Sequence, residues 1–308
     1  MRIVSYNVRY FGHALKGLAS TAGAKTRIAQ AMSSLRELPD LVCLQEVETK
    51  SLRSGLAHRG GQAVETQLDA FMRHLRQSLG AQGAQPAYQA WYFPAHTYQL
   101  GTLKLYTTGL AMLVNTHKLA VIGGNHDAPH GVTHYGDNTV RAAKQTRIVA
   151  HLHLEDAKGK KFHLFNTHLS LPSPFTKEFW KQKVKMGHGM NQLAEAKILT
   201  DYLAHKAGSE PFVIGGDFNS APDSPVYRYL SSEAKLGGAQ ELLKQIDPKN
   251  PKGFSTAGFM NLRMHLDHLF GSGVHWNDLD DTRAFGDEAG KFHGMSDHVP
   301  LIARFDIG

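Results

Sequence analysis

Short apolar segments alternate with amphipathic ones along the chain. Eight of the apolar segments have the length and the β-branched content of buried strands. They are RIVSYNV, LVCLQEV, TGLAMLV, TRIVAHLHL, KFHLFNTHL, PFVIGGDF, HLDHLF and VPLIARF. The segment AKGKK, between TRIVAHLHL and KFHLFNTHL, predicts a hairpin that joins these two strands.

Apolar residues recur at helical spacing in three other segments. This pattern predicts amphipathic helices over residues 25–38, 64–79 and 193–203. Ser224 and Pro225 are the residue types of an N-cap and a first helical turn, so a short helix should follow them. Strands interspersed with helices, some joined in hairpins, predict a mixed α/β sandwich with two packed sheets and helices outside.

The chain shows no low-complexity linker and no repeat of fixed period, so we expect a single domain, 1–308. The segment 122–141 is polar and rich in histidine, and it predicts a long loop that is mobile or borders a site. The composition, 42% hydrophobic and 20% charged, is that of an ordinary globular protein. Cys43 stands alone in an apolar segment, which excludes an intrachain disulfide and a thiolate metal cluster.

The net charge of +7 is spread along the chain, so it favours an anionic partner only weakly. The N-terminal segment MRIVSYNVRY does not resemble a signal peptide. No segment approaches the roughly 18 apolar residues of a membrane span. We therefore expect a cytoplasmic protein without an obligate protein partner.

Polar residues recur where apolar segments begin or end. They are Asn7, Glu46, His168, Asp217, Asn219, Asp267, Asp297 and His298. Each has an ordinary interpretation when taken alone, as a turn, a cap or a hydrogen-bonded buried group. Buried singly, such groups would be costly, whereas strand ends that converge let them satisfy one another. Their recurrence therefore predicts a shared active site.

The residue types in this set indicate the chemistry. Glu46, Asp297 and the amide of Asn7 offer hard oxygen ligands, which suit Mg²⁺, with Mn²⁺ or Ca²⁺ as alternatives. His298 with a carboxylate behind it, for which Asp267 is the candidate, would act as an oriented base or as an imidazolium that contacts phosphate.

The remaining three residues complete this interpretation. Asp217 and Asn219 could hold an attacking water and a phosphoryl oxygen, and His168 could donate a hydrogen bond to a phosphate oxygen. A divalent cation, imidazoles and amide donors around carboxylates suit attack on a phosphoester.

Six segments, in order, resemble the signature segments of the endonuclease/exonuclease/phosphatase superfamily, which has the DNase I-like fold. They are SYNVRY, LQEVE, NTHLS, GGDFNSAPDSPVY, LDHLF and MSDHVP, and the resemblance extends from residue 3 to about 305. The resemblance implies a four-layered α/β sandwich, a divalent metal and hydrolysis of a phosphate ester.

The resemblance also implies roles for the same residues. Glu46 is similar to the main metal ligand, assisted by Asn7 and Asp297. His298 is similar to the catalytic histidine, with Asp267 as its partner. The remaining residues resemble the pair that positions water and phosphate and the second histidine of the site, and they are Asp217, Asn219 and His168.

The sequence indicates less clearly which branch of the superfamily the chain resembles. The histidine of NTHLS resembles the DNase, deadenylase-like, sphingomyelinase-like and phosphoinositide-phosphatase branches, and the abasic-site repair nucleases differ there. GDFNSAPDSPVYRYL is similar to the deadenylase-like and uncharacterised bacterial members. The departures lie in the connecting segments, which include PSPFTKEFWKQKVKMGHGM. There Trp180 and Lys181 are candidates to stack on bases and hold phosphates, or to meet an anionic membrane surface.

The favoured hypothesis is an Mg²⁺-dependent phosphodiesterase acting on nucleic acid, as an endonuclease or an exonuclease. A phospholipid or phosphoinositide substrate is the first alternative, and a non-catalytic scaffold of the same fold is the second. Gly124-Asn125-His126-Asp127 also matches a fragment of the two-metal calcineurin-like phosphoesterase signature. That signature also needs an Asp-x-His near its start, which is absent, and the comparable aspartate motif GDFN follows GNHD, so we interpret the match as a coincidence.

Overall fold

The structure is a computed structural model. It describes residues 1–11, 22–50, 66–84, 87–100, 103–134, 145–172, 185–233, 240–250, 252–259 and 261–308. The helices are α1 (Ala22–Ser33), α2 (Gln67–Ala81), α3 (Met190–Ala207), α4 (Pro225–Arg228) and α5 (Leu242–Ile246). The strands are β1 (Arg2–Asn7), β2 (Leu41–Lys50), β3 (Tyr88–Leu100), β4 (Leu103–Asn115), β5 (Leu119–Gly124), β6 (His130–Gly131), β7 (Ile148–Asp156), β8 (Lys161–His168), β9 (Phe212–Asp217), β10 (Gln240–Glu241), β11 (Ala257–Phe259), β12 (Leu262–Met264), β13 (Asp267–Ser272), β14 (Val274–Leu279) and β15 (Leu301–Ile307).

The strands form two large mixed sheets. The first sheet has the order β14-β15-β1-β2-β4-β3, and the second has the order β10-β13-β9-β8-β7-β5 with β6 paired to β7. A large apolar core lies between the sheets, to which Ile3 and Leu41 contribute from the first and Phe162 and Val213 from the second. Successive side chains of a strand point to opposite faces, so one face of each sheet lines this core and the other faces outward.

Helices cover the two outer faces. α1 and α2 pack on the first sheet in a cluster that includes Ile28 and Phe71, and α3 packs on the second in a cluster that includes Leu199. The layer order is therefore helix, sheet, sheet, helix, which confirms the predicted four-layered α/β sandwich. Cys43 is buried between the sheets, as its apolar surroundings predict, and burial raises the pKa of its thiol.

The strand register brings the predicted polar residues to one edge. β1 and β2 run parallel, and so do β8 and β9, so the carboxyl ends of each pair lie together. His168 is opposite Asp217 at the end of β8 and β9. β13 runs antiparallel to β9 and begins at Asp267, which is also opposite Asp217.

The helix predictions hold with shifted ends. α3 and the Ser224 cap of α4 are confirmed, since Ser224 Oγ accepts a hydrogen bond from the Tyr227 N–H at 3.2 Å. α1 ends at Ser33, so Leu35 and Leu38 follow the helix in a turn and still pack against its core. No helix in the part of the chain that the structure describes has the length and hydropathy of a membrane span.

The predicted long loop over 122–141 is wrong in part. Its first residues, Ile122–Gly124, complete β5, and His130–Gly131 form β6. Both strands pair with β7 at the edge of the second sheet, where exposed residues and glycines hide the strand pattern. Residues 135–144 of that segment lie outside the described residues.

Candidate active site

Asn7 connects the two sheets at the site. Its Nδ2 donates to Asp217 Oδ2 at 3.0 Å and lies 3.3 Å from Glu46 Oε1. Its Oδ1 accepts from the Arg9 N–H at 3.0 Å, within a tight turn that follows β1. The turn holds Arg9 and Tyr10 at φ of 39° and 57°, a left-handed conformation that is costly for such residues. This orientation of the amide joins a carboxylate from β2 to one from β9.

Glu46 lies on a β-bulge. The pairing of β2 with β4 shifts register between Leu44 and Val47, and Glu46 has a φ of 55°. A bulge redirects a side chain that regular pleating would place elsewhere. Burial and the nearby Asp297 raise the pKa of the Glu46 carboxyl, because its charged form loses water and meets another negative charge.

Asp217 is the central carboxylate. Burial raises its pKa to about 7, His298 opposes this rise, and Asp267 adds to it. The Asn219 N–H donates to Asp217 Oδ1 at 2.9 Å, and the Asn219 side-chain Nδ2 donates to the Leu169 carbonyl at 2.9 Å. A carboxyl group with a pKa near neutrality is suited to accept a proton at physiological pH.

His298 lies between two aspartates. Its Nδ1 is 2.8 Å from Asp267 Oδ2, and its Nε2 is 3.6 Å from Asp217 Oδ2. Burial alone would lower the pKa of His298, but Asp267 and Asp217 outweigh it and raise the pKa to about 10. The Thr256 hydroxyl accepts from the Asp267 N–H at 3.1 Å and so fixes the start of β13. His298 is therefore an imidazolium at neutral pH in this geometry.

His168 has the opposite protonation state. Burial, together with the cations Arg147 and His298, lowers its pKa well below the ordinary value. Arg147 donates to His168 Nδ1 at 3.0 Å, and Asn219 Nδ2 lies 3.2 Å from His168 Nε2, so N–H donors face both nitrogens of this ring. The Nε2 atom also lies 3.4 Å from Asp217 Oδ2 and 3.9 Å from Glu46 Oε1. The site thus holds one cationic and one neutral imidazole on either side of Asp217.

The segment before β15 closes the site. Ser296 Oγ donates to the Asn7 carbonyl at 2.8 Å, and Asp297 forms an ion pair with Arg9. The Val299 N–H donates to the Thr256 carbonyl at 2.8 Å. The structure therefore brings together all eight residues that the sequence indicates at strand ends.

Sequence reasoning missed three residues of this site. Arg147 immediately precedes the apolar β7, which is the signal that could have found it, and it lies beside the end of β8. Arg9 and Ser296 each lie within a recognised segment, SYNVRY and MSDHVP, but nothing in the sequence shows that they hold Asp297 and Asn7 in place. Trp180 and Lys181, predicted to contact substrate, lie outside the described residues.

The residues present fit a hard divalent cation. Asn7 Nδ2 contacts both Glu46 and Asp217, and Asp297 is close enough to Glu46 to add to burial in raising its pKa. The donors of these carboxylates are oxygen atoms, which Mg²⁺, Mn²⁺ and Ca²⁺ prefer. Asn125 of the GNHD segment has a structural role, because its side chain donates a hydrogen bond to the Val149 carbonyl and accepts one from the His151 N–H.

Comparisons with known proteins identify the fold and the family. No curated protein sequence matches the chain. Among solved structures, the human Nocturnin catalytic domain with bound sulfate aligns with a TM-score of 0.63 and 19% identity, covering 100% of this chain and 93% of that one. The mannosyl-6-phosphatase Bt3783 of Bacteroides thetaiotaomicron aligns with a TM-score of 0.61 and 16% identity, covering 100% of both chains.

A third solved structure is ANGEL2, described as a 2′,3′-cyclic phosphatase. It aligns with a TM-score of 0.64 and 16% identity, covering 99% of this chain and 94% of that one. At these identities the likeness shows the DNase I-like fold. The sequence model of the Endonuclease/Exonuclease/phosphatase family matches residues 4–298, which is nearly the whole chain. The chain belongs to the endonuclease/exonuclease/phosphatase family.

Proposed function

We propose that this protein is a divalent-metal-dependent phosphodiesterase whose first candidate substrate is nucleic acid. The observation that carries the proposal is the environment of Asp217. This buried carboxyl has Asn7, His168 and His298 within 3.0, 3.4 and 3.6 Å of its Oδ2. A carboxyl with a pKa of about 7, between a neutral and a cationic imidazole, suits proton transfer and charge stabilisation at a phosphate ester.

Glu46, with Asn7 and Asp297, would hold Mg²⁺, and Mn²⁺ or Ca²⁺ are the alternatives. When bound, such an ion neutralises charge on the phosphate and polarises it toward attack. The fit rests on the oxygen donors and on the nearby Asp297, whose charge adds to burial in raising the pKa of Glu46. Arg9 shares Asp297 with this site through its ion pair, so Asp297 would contribute less than Glu46.

The other residues would act on the substrate directly. Asp217 would take a proton from the attacking water, because its raised pKa makes it a competent base near neutrality. His298, kept cationic by Asp267, would donate a hydrogen bond to the developing negative charge. His168 and Asn219, whose Nδ2 lies 3.2 Å from His168 Nε2, would contact a phosphoryl oxygen.

The substrate is the least constrained part of the proposal. Nucleic acid ranks first because of the net charge of +7 and because Trp180 and Lys181 could stack on a base and pair with a phosphate. The structural neighbours include a 2′,3′-cyclic phosphatase and a mannosyl-6-phosphatase, so this fold accepts several phosphate esters. Phospholipid and phosphoinositide head groups are therefore the alternative substrates.

The test is hydrolysis of a panel of phosphate esters by the purified chain, with Mg²⁺ and with EDTA. The panel contains single- and double-stranded DNA, RNA with an adenylate tail, sphingomyelin, a phosphoinositide, a phosphomonoester and bis-p-nitrophenyl phosphate. His298→Ala and Glu46→Gln are assayed beside the unchanged chain. His293→Ala, an exposed histidine five residues before His298, is the matched control.

We expect turnover that requires the metal, is lost in both site variants and is retained in His293→Ala. The preferred panel member then names the branch. Turnover of the phosphomonoester alone would replace the phosphodiesterase with a phosphatase. No turnover of any member, together with no effect of Mg²⁺ on the thermal midpoint, would leave the non-catalytic scaffold as the function.

A further inference from the structure

A second group of potential metal ligands lies behind the active site. Glu241, His265 and His268 have 2%, 5% and 0% of their surface exposed, and one donor atom from each lies within 4.8 Å of the other two. His268 follows Asp267 in β13, and successive strand residues point to opposite faces. The group therefore faces away from Asp217 and His298.

Each histidine of the group uses one ring nitrogen to bond a backbone carbonyl. His265 Nδ1 lies 2.5 Å from the Phe254 carbonyl oxygen, and His268 Nε2 lies 2.8 Å from the Ser220 carbonyl oxygen. A carbonyl oxygen only accepts, so these nitrogens carry the protons. In neutral rings, His265 Nε2 and His268 Nδ1 are then lone-pair acceptors.

Glu241 presents a third acceptor to the same space. Its Oε2 accepts from the Lys244 N–H at 3.0 Å and from the Tyr227 hydroxyl at 3.3 Å. Its Oε1, His265 Nε2 and His268 Nδ1 are buried without a hydrogen-bond partner among the described residues. The distance from Glu241 Oε1 to His268 Nδ1, 3.6 Å, exceeds that of a hydrogen bond.

Three buried acceptors that face one another without a donor are costly unless a positive charge lies between them. A metal ion meets this need better than a proton, because a proton joins two of the acceptors and leaves the third unpaired. The rings of His265 and His268 are tilted by 57° with centroids 4.8 Å apart, so their planes cross. A ring nitrogen bonded to a backbone carbonyl is also what orients the histidine ligands of metals.

A second histidine cluster provides a contrast. His153 and His163 stack in parallel, with 4° between their planes, and their Nε2 atoms lie 2.7 and 3.0 Å from Glu210 Oε2. Their hydrogen bonding is therefore satisfied, and Glu210 is 39% exposed. This partly exposed cluster has no need of an ion.

We propose that Glu241, His265 and His268 bind one transition-metal ion of the Zn²⁺ class, with a water as the remaining ligand. Imidazole nitrogens and a carboxylate oxygen are a donor set that Zn²⁺ accepts in tetrahedral geometry. The ion joins β10 to β13. Through the bond from His268 to Ser220, it also supports the loop after β9 that contains Asn219. Its role is structural.

The experiment uses the tag-free chain, stripped of metal. It carries Glu46→Gln in the active site and Glu210→Gln in the cluster of His153 and His163, to weaken any binding of Zn²⁺ at these two other places. Zn²⁺ is titrated in competition with a chromophoric chelator, and Co²⁺ serves as a spectroscopic probe. We expect one Zn²⁺ per chain, an intense visible Co²⁺ band typical of tetrahedral coordination, and a rise in thermal midpoint with Zn²⁺. Adding Glu241→Gln, which keeps the side-chain shape, should abolish all three.

Full Zn²⁺ binding in the chain with Glu241→Gln would overturn the proposal. The proposal would also be overturned if the chain with Glu46→Gln and Glu210→Gln alone folds and binds no Zn²⁺, because the cluster of Glu241, His265 and His268 would then hold a proton. If Glu241→Gln prevents folding, X-ray absorption spectroscopy identifies the ligands of Zn²⁺ bound to the chain with Glu46→Gln and Glu210→Gln alone. Two imidazole ligands support the site, and oxygen ligands alone overturn it.

Discussion

His298 shows how neighbours set the state of a residue. Burial lowers the pKa of a histidine, yet Asp267 at 2.8 Å and Asp217 at 3.6 Å raise that of His298 to about 10. The two carboxylates stabilise the cation by more than its desolvation costs. A histidine paired in this way is matched to an anionic substrate.

This leads to a prediction for the metal-free chain in EDTA. The raised pKa of His298 adds stability that is fully present below its ordinary pKa of about 6.5 and is lost as the pH rises through about 10. In Asp267→Asn the loss should begin closer to neutrality. NMR of the imidazole C–H groups measures the titration, and urea unfolding at several pH values measures the stability. An ordinary His298 pKa in the unchanged chain would contradict the prediction.

Arg147 sets the state of the other imidazole. Its guanidinium donates to His168 Nδ1 at 3.0 Å, and its charge helps to lower the His168 pKa. Arg147→Met should therefore raise that pKa and loosen the ring. We expect kcat to fall roughly tenfold to a hundredfold, within the contribution of a positioned imidazole. The acid limb of the pH–rate profile should move to higher pH, because the Arg147 charge also lowers the pKa of Glu46, which would hold the metal in its ionised form.

Arg147→Lys is the control for charge in this experiment. It keeps the cation near His168 without the planar fork of the guanidinium, so its rate should lie between those of the unchanged chain and Arg147→Met. The pH–rate profile on bis-p-nitrophenyl phosphate is the measurement. An unchanged rate and profile in Arg147→Met would show that the bond to His168 has no part in turnover.

The sequence indicated the residues of the candidate site more clearly than the residues that hold the two sheets together beside it. Residues at strand ends, such as Asn7 and Asp217, are visible because an apolar segment stops at them. Gln45 and Asn166 also bond across the two sheets, with Gln45 Nε2 donating to Asn166 Oδ1 at 2.8 Å. Neither residue was recognised, because a polar residue inside a strand looks the same whether it faces water or a partner in another sheet.

At the scale of elements, the strands that the sequence missed lie at sheet edges. β14 and β3 are the two edges of the first sheet, and β5 is an edge of the second. Edge strands are partly exposed, tolerate residues such as Pro94 and lack a continuous apolar pattern. Central strands are buried on both faces, which is why their composition alone predicted them.

α3 supports the site through a buried carboxylate. Glu195 accepts from the Ser170 N–H at 2.9 Å and from the Ser170 hydroxyl at 2.7 Å, and it is fully buried. Glu195→Ala leaves these donors unpaired, which should lower the free energy of unfolding by about 2–3 kcal/mol. Asp201→Ala, at an exposed position of the same helix, should change it by less than about 0.5 kcal/mol. Urea unfolding measures both, and equal effects would contradict the assignment.

At the scale of the whole molecule, the net charge of +7 distinguishes the candidate substrates. A protein that neutralises several phosphates of a polymer releases counterions, so its affinity falls steeply as salt rises. Cleavage of DNA or RNA at substrate concentrations below KM should therefore fall at least about tenfold between roughly 50 and 200 mM KCl. Bis-p-nitrophenyl phosphate contacts the site through one phosphate, so its turnover should change by less than about twofold.

The comparison holds Mg²⁺ constant and uses the small diester as an internal control for loss of the metal. Equal salt dependence for both substrates would contradict an extended contact with nucleic acid and favour a small phosphate ester. A steep dependence for the polymer alone would indicate that cationic residues along the surface, and not the site by itself, select the substrate.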